Sequence, residues 1–388
     1  MRAWSSLCAA AALFVGSALA GDPSSVTFED VSSASSVAGT VTAASYSSSS
    51  DGSDHVQYKI RSGEETSKGV CLGSWLVAEH WMTSAADFWT GVSEDDAGHG
   101  EYSAITNSSD PDRIRSNLDY HHSTFITESE IADIAAAGLN TVRVPVGYWI
   151  AGFDHSDPSG KAEWKAYTNN TLSYLDSLVQ DEPAFLGIGL LNEPNAETTQ
   201  EQLYQYYEDA YAAIRGEGND CVLVVAPLLY EQSPDAMVDF MSAPSYTNVW
   251  VEWHPYFVWG YDDVSAEDLI TQSVETDFQG DVTAWNARKN HNRLFIGEWC
   301  FSTNNKYSDN EELFYEFARA QTNVVNQAGG GWTYWSWRIY GDETGTNTWS
   351  LRAVLRNETL KEILLPSSSS SASQSGKQGK TGVQTRLL

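Results

Sequence analysis

Cationic side chains are scarce in this chain of 388 residues: Lys and Arg number 22 against 52 Asp and Glu, a formal net charge of −30. A chain so acidic has no general electrostatic attraction for nucleic acid or an anionic lipid surface, and it suits a neutral substrate or acidic surroundings. Cysteine is also scarce, at four. No cysteine spacing resembles a metal site, so no metal is implied. Cys8 lies in the N-terminal stretch, and Cys71, Cys221 and Cys300 form an odd set that allows one disulfide plus one free thiol without assigning it. Long apolar runs are missing beyond the first twenty residues, so no later stretch can cross a bilayer as a helix. A Gly-rich phosphate loop is missing as well, which removes the usual signature of the nucleotide-binding doubly wound sheets.

The N-terminus reads MRAWSSLCAAAALFVGSALAG. Arg2, the short apolar stretch at 7–19 and the Ala18-Leu19-Ala20 step before Gly21 predict a secretory signal cleaved after Ala20, rather than a membrane anchor. Acceptor patterns for N-glycosylation at Asn107, Asn169 and Asn357 agree with secretion to an extracellular or wall-associated place. Residues 21–56 are Ser/Thr-rich, and residues 367–388 form a Ser-rich tail without the apolar end a lipid-anchor signal needs. Residues 57–366 remain as the folded domain, and a hydrophobic content of 41% is enough for a sizeable core.

What is present in that domain is a succession of short apolar runs separated by helical patterns. GVCLGSWLV (69–77), TVRVPVG (141–147), FLGIGLLNEP (185–194), CVLVVAP (221–227), VWVEWHPY (249–256), LFIGEWC (294–300) and GGWTYWSW (330–337) read as seven strands. A helix over 127–140 is expected to open on a capping pattern, Thr127 with Glu130, and to stop at Gly138. Alternation of this kind predicts an α/β fold with a parallel sheet. Polar and aromatic residues gather at the C-terminal ends of the runs, which is the active face of a TIM-type (β/α)8 barrel; an open doubly wound sheet is the competing arrangement.

Two apolar runs end on carboxylates, Glu193 and Glu298, which are costly to bury unless they have work to do. Glycoside hydrolysis needs such a pair, and a separation of about 5 Å gives retention through a covalent intermediate. Around them, Asn192 would hold a hydroxyl or orient the nucleophile, and Arg143 would stabilise an anion. His254 and Tyr256 would complete the hydrogen-bond network, and Trp335 would floor a sugar subsite. Each has a plainer reading: Arg143 as a structural ion pair, Trp335 as a core aromatic.

With these residues in this order the chain resembles glycoside hydrolase family 5, in its fungal and oomycete exo-β-1,3-glucanase group. GVCLGSWLVAEHW, HHSTFITESEIADIAAAGLNTVRVPVGYWI, FLGIGLLNEP, WHPYF, FIGEW and GWTYWSWR carry the resemblance, from about 69 to 338. The resemblance implies Glu193 as acid/base and Glu298 as nucleophile. It also implies substrate contacts from Glu79, Arg143, Tyr148, Asn192, His254, Tyr256 and Trp335, with Trp149 beside Tyr148, Phe153 as part of an aromatic clamp and His155 at a polar position. Family members usually carry Asn where this chain has His155 and Cys71. They also follow the GYW motif with a helix, a third strand and a loop carrying a further His, and residues 146–184 have no evident counterpart. The expected barrel is therefore incomplete at strand three.

The implied activity is that of a secreted, retaining exo-acting β-1,3-glucan hydrolase releasing glucose from non-reducing ends. It would act as a monomer on a β-1,3-glucan or related β-glucoside, without cofactor, metal, nucleic-acid partner or stable membrane insertion. An endo-β-glucanase, a glucan transglycosylase and a catalytically impaired wall-glucan-binding protein are the alternatives.

Overall fold

The computed structural model describes residues 10–12, 56–150, 171, 173 and 185–366. The readings placed on the remainder of 1–20, on 21–55, on 367–388 and on Asn169, Phe153 and His155 lie outside those residues.

Seven strands form one sheet: β2 (Ser67–Cys71), β3 (Thr141–Arg143), β5 (Gly187–Gly189), β6 (Val222–Val225), β7 (Val249–Trp253), β8 (Arg293–Ile296) and β9 (Gly331–Tyr334). Their spatial order is β3-β2-β9-β8-β7-β6-β5, and every neighbouring pair is parallel. Each strand overlaps one of the seven apolar runs, with β2 and β8 starting one or two residues before theirs. The order is that of a β/α barrel opened at one seam, between its second strand, β3, and its fourth, β5. Among the described residues no strand of this sheet stands between them, so the sheet is a curled, incomplete barrel.

The run 141–147, expected as one strand, is two. It leaves the sheet after Arg143, because Pro145 has no N–H to continue a ladder. Pro145–Gly147 forms β4, which pairs antiparallel with β1 (Ala10–Ala12).

Two local readings change. Thr127 precedes the helix Glu128–Ala136 but makes no side-chain cap, and Glu130 does not reach back. Instead Glu130 accepts from Arg338 and Arg352, each at 3.1 Å, and from the Trp337 indole, because paired guanidinium groups outcompete one backbone N–H. A capping box forms where it was not expected, at Thr199 and Gln202 on the helix Gln200–Gly216. Gly138, at φ +90°, does end its helix, in a region open to glycine.

The main core lies inside the sheet and between it and the helices, with Val251, Leu294, Ile296, Trp299 and Phe317 fully buried. Each such side chain contributes about 1.5–3 kcal/mol through burial. Between β2 and β3 the chain makes a helical excursion that the apolar runs do not foretell, ending in the helix Pro111–Thr124. It carries its own small core around Phe88, Trp89, Ile105, Ile114 and Leu118.

Cys71, Cys221 and Cys300 are all free and buried, so no disulfide joins them. Asn357, a glycosylation pattern in the sequence, caps the helix Glu358–Leu364 through its Oδ1 and donates its Nδ2 to the Tyr315 hydroxyl at 3.0 Å. The amide nitrogen a glycan would need is thus engaged in the fold. Among the described residues no helix is long and apolar enough to cross a membrane.

Candidate active site

The C-terminal ends of four strands bring the site together. Arg143 ends β3, Asn192 and Glu193 follow β5, His254 and Tyr256 follow β7, and Glu298 follows β8. Alternation along β7 and β8 turns these side chains toward the axis of the curled sheet while their neighbours face the helices.

Arg143 is the hub. Its Nη1 donates to Glu298 Oε1 at 2.7 Å, its Nη2 to Asn192 Oδ1 at 2.8 Å, and its Nε lies 3.1 Å from Glu252 Oε1. Burial on its own would favour the neutral guanidine, but Glu252 and Glu298 hold it firmly charged. Tyr256 donates its hydroxyl to Glu298 Oε2 at 2.9 Å. His254 Nδ1 lies 2.8 Å from Glu193 Oε1 and 3.7 Å from Glu298 Oε2, and its Nε2 lies 3.1 Å from Glu252 Oε1. The His254 backbone N–H is held by the Gln232 side chain.

Both ring nitrogens of His254 therefore face carboxylates, the setting of an imidazolium. Burial would lower its pKa, but Glu298, Glu193 and Glu252 together push it up to about 10. Burial raises the Glu298 carboxyl above its ordinary range, His254 and Arg143 pull it down, and Glu193 and Glu252 push it up again. The hydrogen bonds settle where a proton on this residue can sit. Arg143 cannot accept, so Glu298 Oε1 is bare, and Oε2 is bare whenever Tyr256 donates to it.

A Glu193 oxygen, a Glu298 oxygen and a His254 nitrogen all lie within 4.8 Å of one another. Three such groups can ligate a cation, but here Arg143 already occupies Glu298 and would repel an ion placed between them. Proton sharing is the better account of the cluster. Glu193 itself has φ +45°, in the sparsely populated left-handed region, at a cost of about 1–2 kcal/mol.

Glu79 is half-buried, its Oε2 accepts from the Trp81 indole at 2.8 Å, and its backbone N–H donates to Ser74 at 2.9 Å. Burial pushes its carboxyl up to about 8; the Trp81 bond opposes this and the charges of Glu298 and Glu193 add to it. Trp335 is only 6% exposed and packs with Cys71, Met82 and Ile339, and its peptide bond to Ser336 is cis. Tyr148 packs with Trp149 and Val77 in a small cluster of their own.

Several residues escape the sequence reading. Glu252 is one, since it sits mid-strand rather than at a strand end. Gln232 is another. Trp81, Trp259 and Trp349 are the rest. Trp81 and Trp349 meet edge to face at 5.2 Å, and Tyr256 lies 5.4 Å from Trp259 and 5.6 Å from Trp349. Trp81 and Trp259 are nearly half exposed, which makes an aromatic rim beside the carboxylates. Their place two and three residues beyond Glu79 and Tyr256 is the signal that would have found two of them.

Residues 177–341 match the model of the family described as Cellulase (glycosyl hydrolase family 5), a span that holds Asn192, Glu193, His254, Tyr256, Glu298 and Trp335. The chain is 26% identical over 285 residues to a glucan 1,3-beta-glucosidase of Pichia angusta, covering 60% of this chain and 63% of that one. It is 36% identical over 125 residues to a probable glucan 1,3-beta-glucosidase A of Aspergillus terreus, covering 30% of this chain and 25% of that one. It thus spans less than two thirds of the length of these relatives. In three dimensions it is similar to rutinosidase from Aspergillus niger, with a TM-score of 0.53 at 16% identity, covering 77% of this chain and 98% of that one. That likeness speaks for the fold. Over residues 177–341, less than half of its length, the chain is thus similar to glycosyl hydrolase family 5.

Proposed function

We propose that this chain is a retaining β-glucan hydrolase that releases glucose from the non-reducing ends of β-1,3-glucan, and that it is secreted. The observation that carries the retaining mechanism is the approach of Glu193 and Glu298 to within 4.8 Å, carboxylate oxygen to carboxylate oxygen. Direct attack by water needs about 6.5–9.5 Å between the two carboxyl groups, and a covalent intermediate about 5–5.5 Å. The exo mode and the 1,3-linkage rest on the similarity to glucosidases of that description.

In this reading Glu298 is the nucleophile. Arg143 and Tyr256 each donate to one of its oxygens and hold it for attack on the anomeric carbon. Glu193 protonates the leaving oxygen as that bond breaks, then takes a proton from the water that releases the sugar. Its side chain is 18% exposed against 7% for Glu298, which suits the member that meets leaving group and solvent. Asn192, fixed by Arg143, and Glu79 offer polar contacts for sugar hydroxyls, and the Trp81, Trp259 and Trp349 rim offers stacking surface. An assembled set of hydrogen bonds around both carboxylates favours turnover over binding alone.

Laminarin should yield glucose as its earliest product, in the β configuration. A folded protein that releases none across a broad pH range removes this assignment. The exposed Trp81 and Trp259 beside the carboxylates favour one variation, in which a longer chain enters the site. Mixed internal fragments would then mark endo action, and products longer than the starting oligosaccharide would mark transfer.

A further inference from the structure

A third carboxylate stands behind the pair. Glu252 is 2% exposed, and one oxygen, Oε1, lies 3.1 Å from both Arg143 Nε and His254 Nε2. Its two partners are the groups that contact the reacting pair, Arg143 on Glu298 and His254 on Glu193. The chain makes room for it: a Cβ built on Gly297 would stand 1.6 Å from Glu252 Oε1. The residue next to the nucleophile is thus one of the few that leave this carboxylate where it is.

We propose that Glu252 is the positioning residue of the site, a buried anion that holds the Arg143 guanidinium and the His254 imidazolium together and keeps His254 charged against Glu193. This rests on the reading of Glu193 and Glu298 as the reacting pair.

The groups that face Glu252 come from the elements around it: Arg143 from β3, His254 just past its own strand, Glu298 beyond β8, Glu193 after β5 and Tyr207 from the helix Gln200–Gly216. With Arg143 and His254 cationic, Glu252 and Glu298 balance them. Remove Glu252 and the cluster carries one more positive charge in a dry place. Every proton in it is then held less tightly. Burial would raise the Glu252 carboxyl, yet Arg143 and His254 keep it below the ordinary range, so it stays ionised as this role requires.

The test is Glu252→Gln in the full chain, with Glu252→Asp as the conservative control. Imidazole spectra of selectively labelled protein read His254 without turnover. In the wild type it should titrate near 10, and in Glu252→Gln about one to three pH units lower. The basic limb of kcat/KM on an aryl β-glucoside should move to lower pH in Glu252→Gln and stay near its wild-type position in Glu252→Asp, even where kcat falls. A merely structural role would lower the melting temperature and leave the limb in place. A wild-type His254 that titrates near the ordinary 6.5 overturns the proposal, as does a folded Glu252→Gln with His254 unmoved. If Glu252→Gln does not fold, the titration of wild type and Glu252→Asp decides alone. A chain inactive on glucan, whose His254 nevertheless responds as stated, would sink the proposed function and leave this inference standing.

Discussion

The two flanks of the curled sheet are built differently. From β6 through β7, β8 and β9 to β2, strands of four or five residues pair on both sides, and their inward faces are packed to exclusion of water. At the open flank β3 and β5 are three residues each and, among the described residues, have a sheet partner on one side only. Yet the site draws on both. His254, Tyr256 and Glu298 come from the closed flank, while Arg143, Asn192 and Glu193 come from the open one. What ladder hydrogen bonds do on one side, the side chain of Arg143 does on the other: it ties β3 to β7, to β8 and to the loop after β5. A buried polar hub can stand in for a strand where geometry is concerned, but it makes that geometry depend on one residue.

The largest test of this contrast sets one reacting carboxylate against the other. Glu298→Ala, on the closed flank, should cut glucan turnover by about 10⁴-fold or more and still bind sugar. With azide and an aryl β-glucoside it should give the α-glucosyl azide by direct displacement. Glu193→Ala, on the open flank, should spare the first step for aryl glucosides with good leaving groups and yield the β-glucosyl azide. Reversed products would exchange the two roles, and normal glucan turnover by both folded variants would end the two-carboxylate mechanism.

Next comes the hub. Arg143→Met leaves Glu252 and Glu298 buried with His254 as their one remaining cationic partner among the described residues, at a cost of about 3–5 kcal/mol. Hydrogen exchange should then rise at β3 and β5 before β7 and β8. Equal loosening of both flanks would mean that Arg143 does not hold the seam. On the closed flank Ile296→Ala removes a fully buried side chain and should cost about 2–5 kcal/mol in denaturant unfolding. The smallest effect should follow Val142→Ala on the half-buried edge strand, below about 1 kcal/mol. A larger loss there would show that the edge is packed by something beyond the described residues.

The strands were legible because parallel strands buried on both faces read as apolar runs, and each of the seven runs overlaps one. The gap between β3 and β5 agrees with the reading of 146–184 as lacking a third strand as far as the described residues go. Glu193, Glu298, Arg143, His254 and Tyr256 were legible as polar residues at strand ends, and they meet within hydrogen-bond reach. Glu252 was not, because a charge in mid-strand gives no sign of its partners until the strands on either side are in register. The helical excursion after β2 was missed because its core is made of residues scattered among polar ones. The capping box at Thr127 failed for the opposite reason: the local signal was present, and Arg338 and Arg352, more than two hundred residues away, took Glu130 from it.

The three buried thiols set how the molecule dies. While folded, Cys71 is sealed from oxidants, and burial pushes its thiol up to about 12, so little thiolate is present at neutral pH. Reducing agents have no bond to break among these three, and activity should be indifferent to them. Unfolding exposes all three at once with ordinary reactivity, free to couple within a chain or between chains. Heating in air should therefore leave a cross-linked residue that does not regain its fold on cooling, while the same cycle under reductant should be far more reversible.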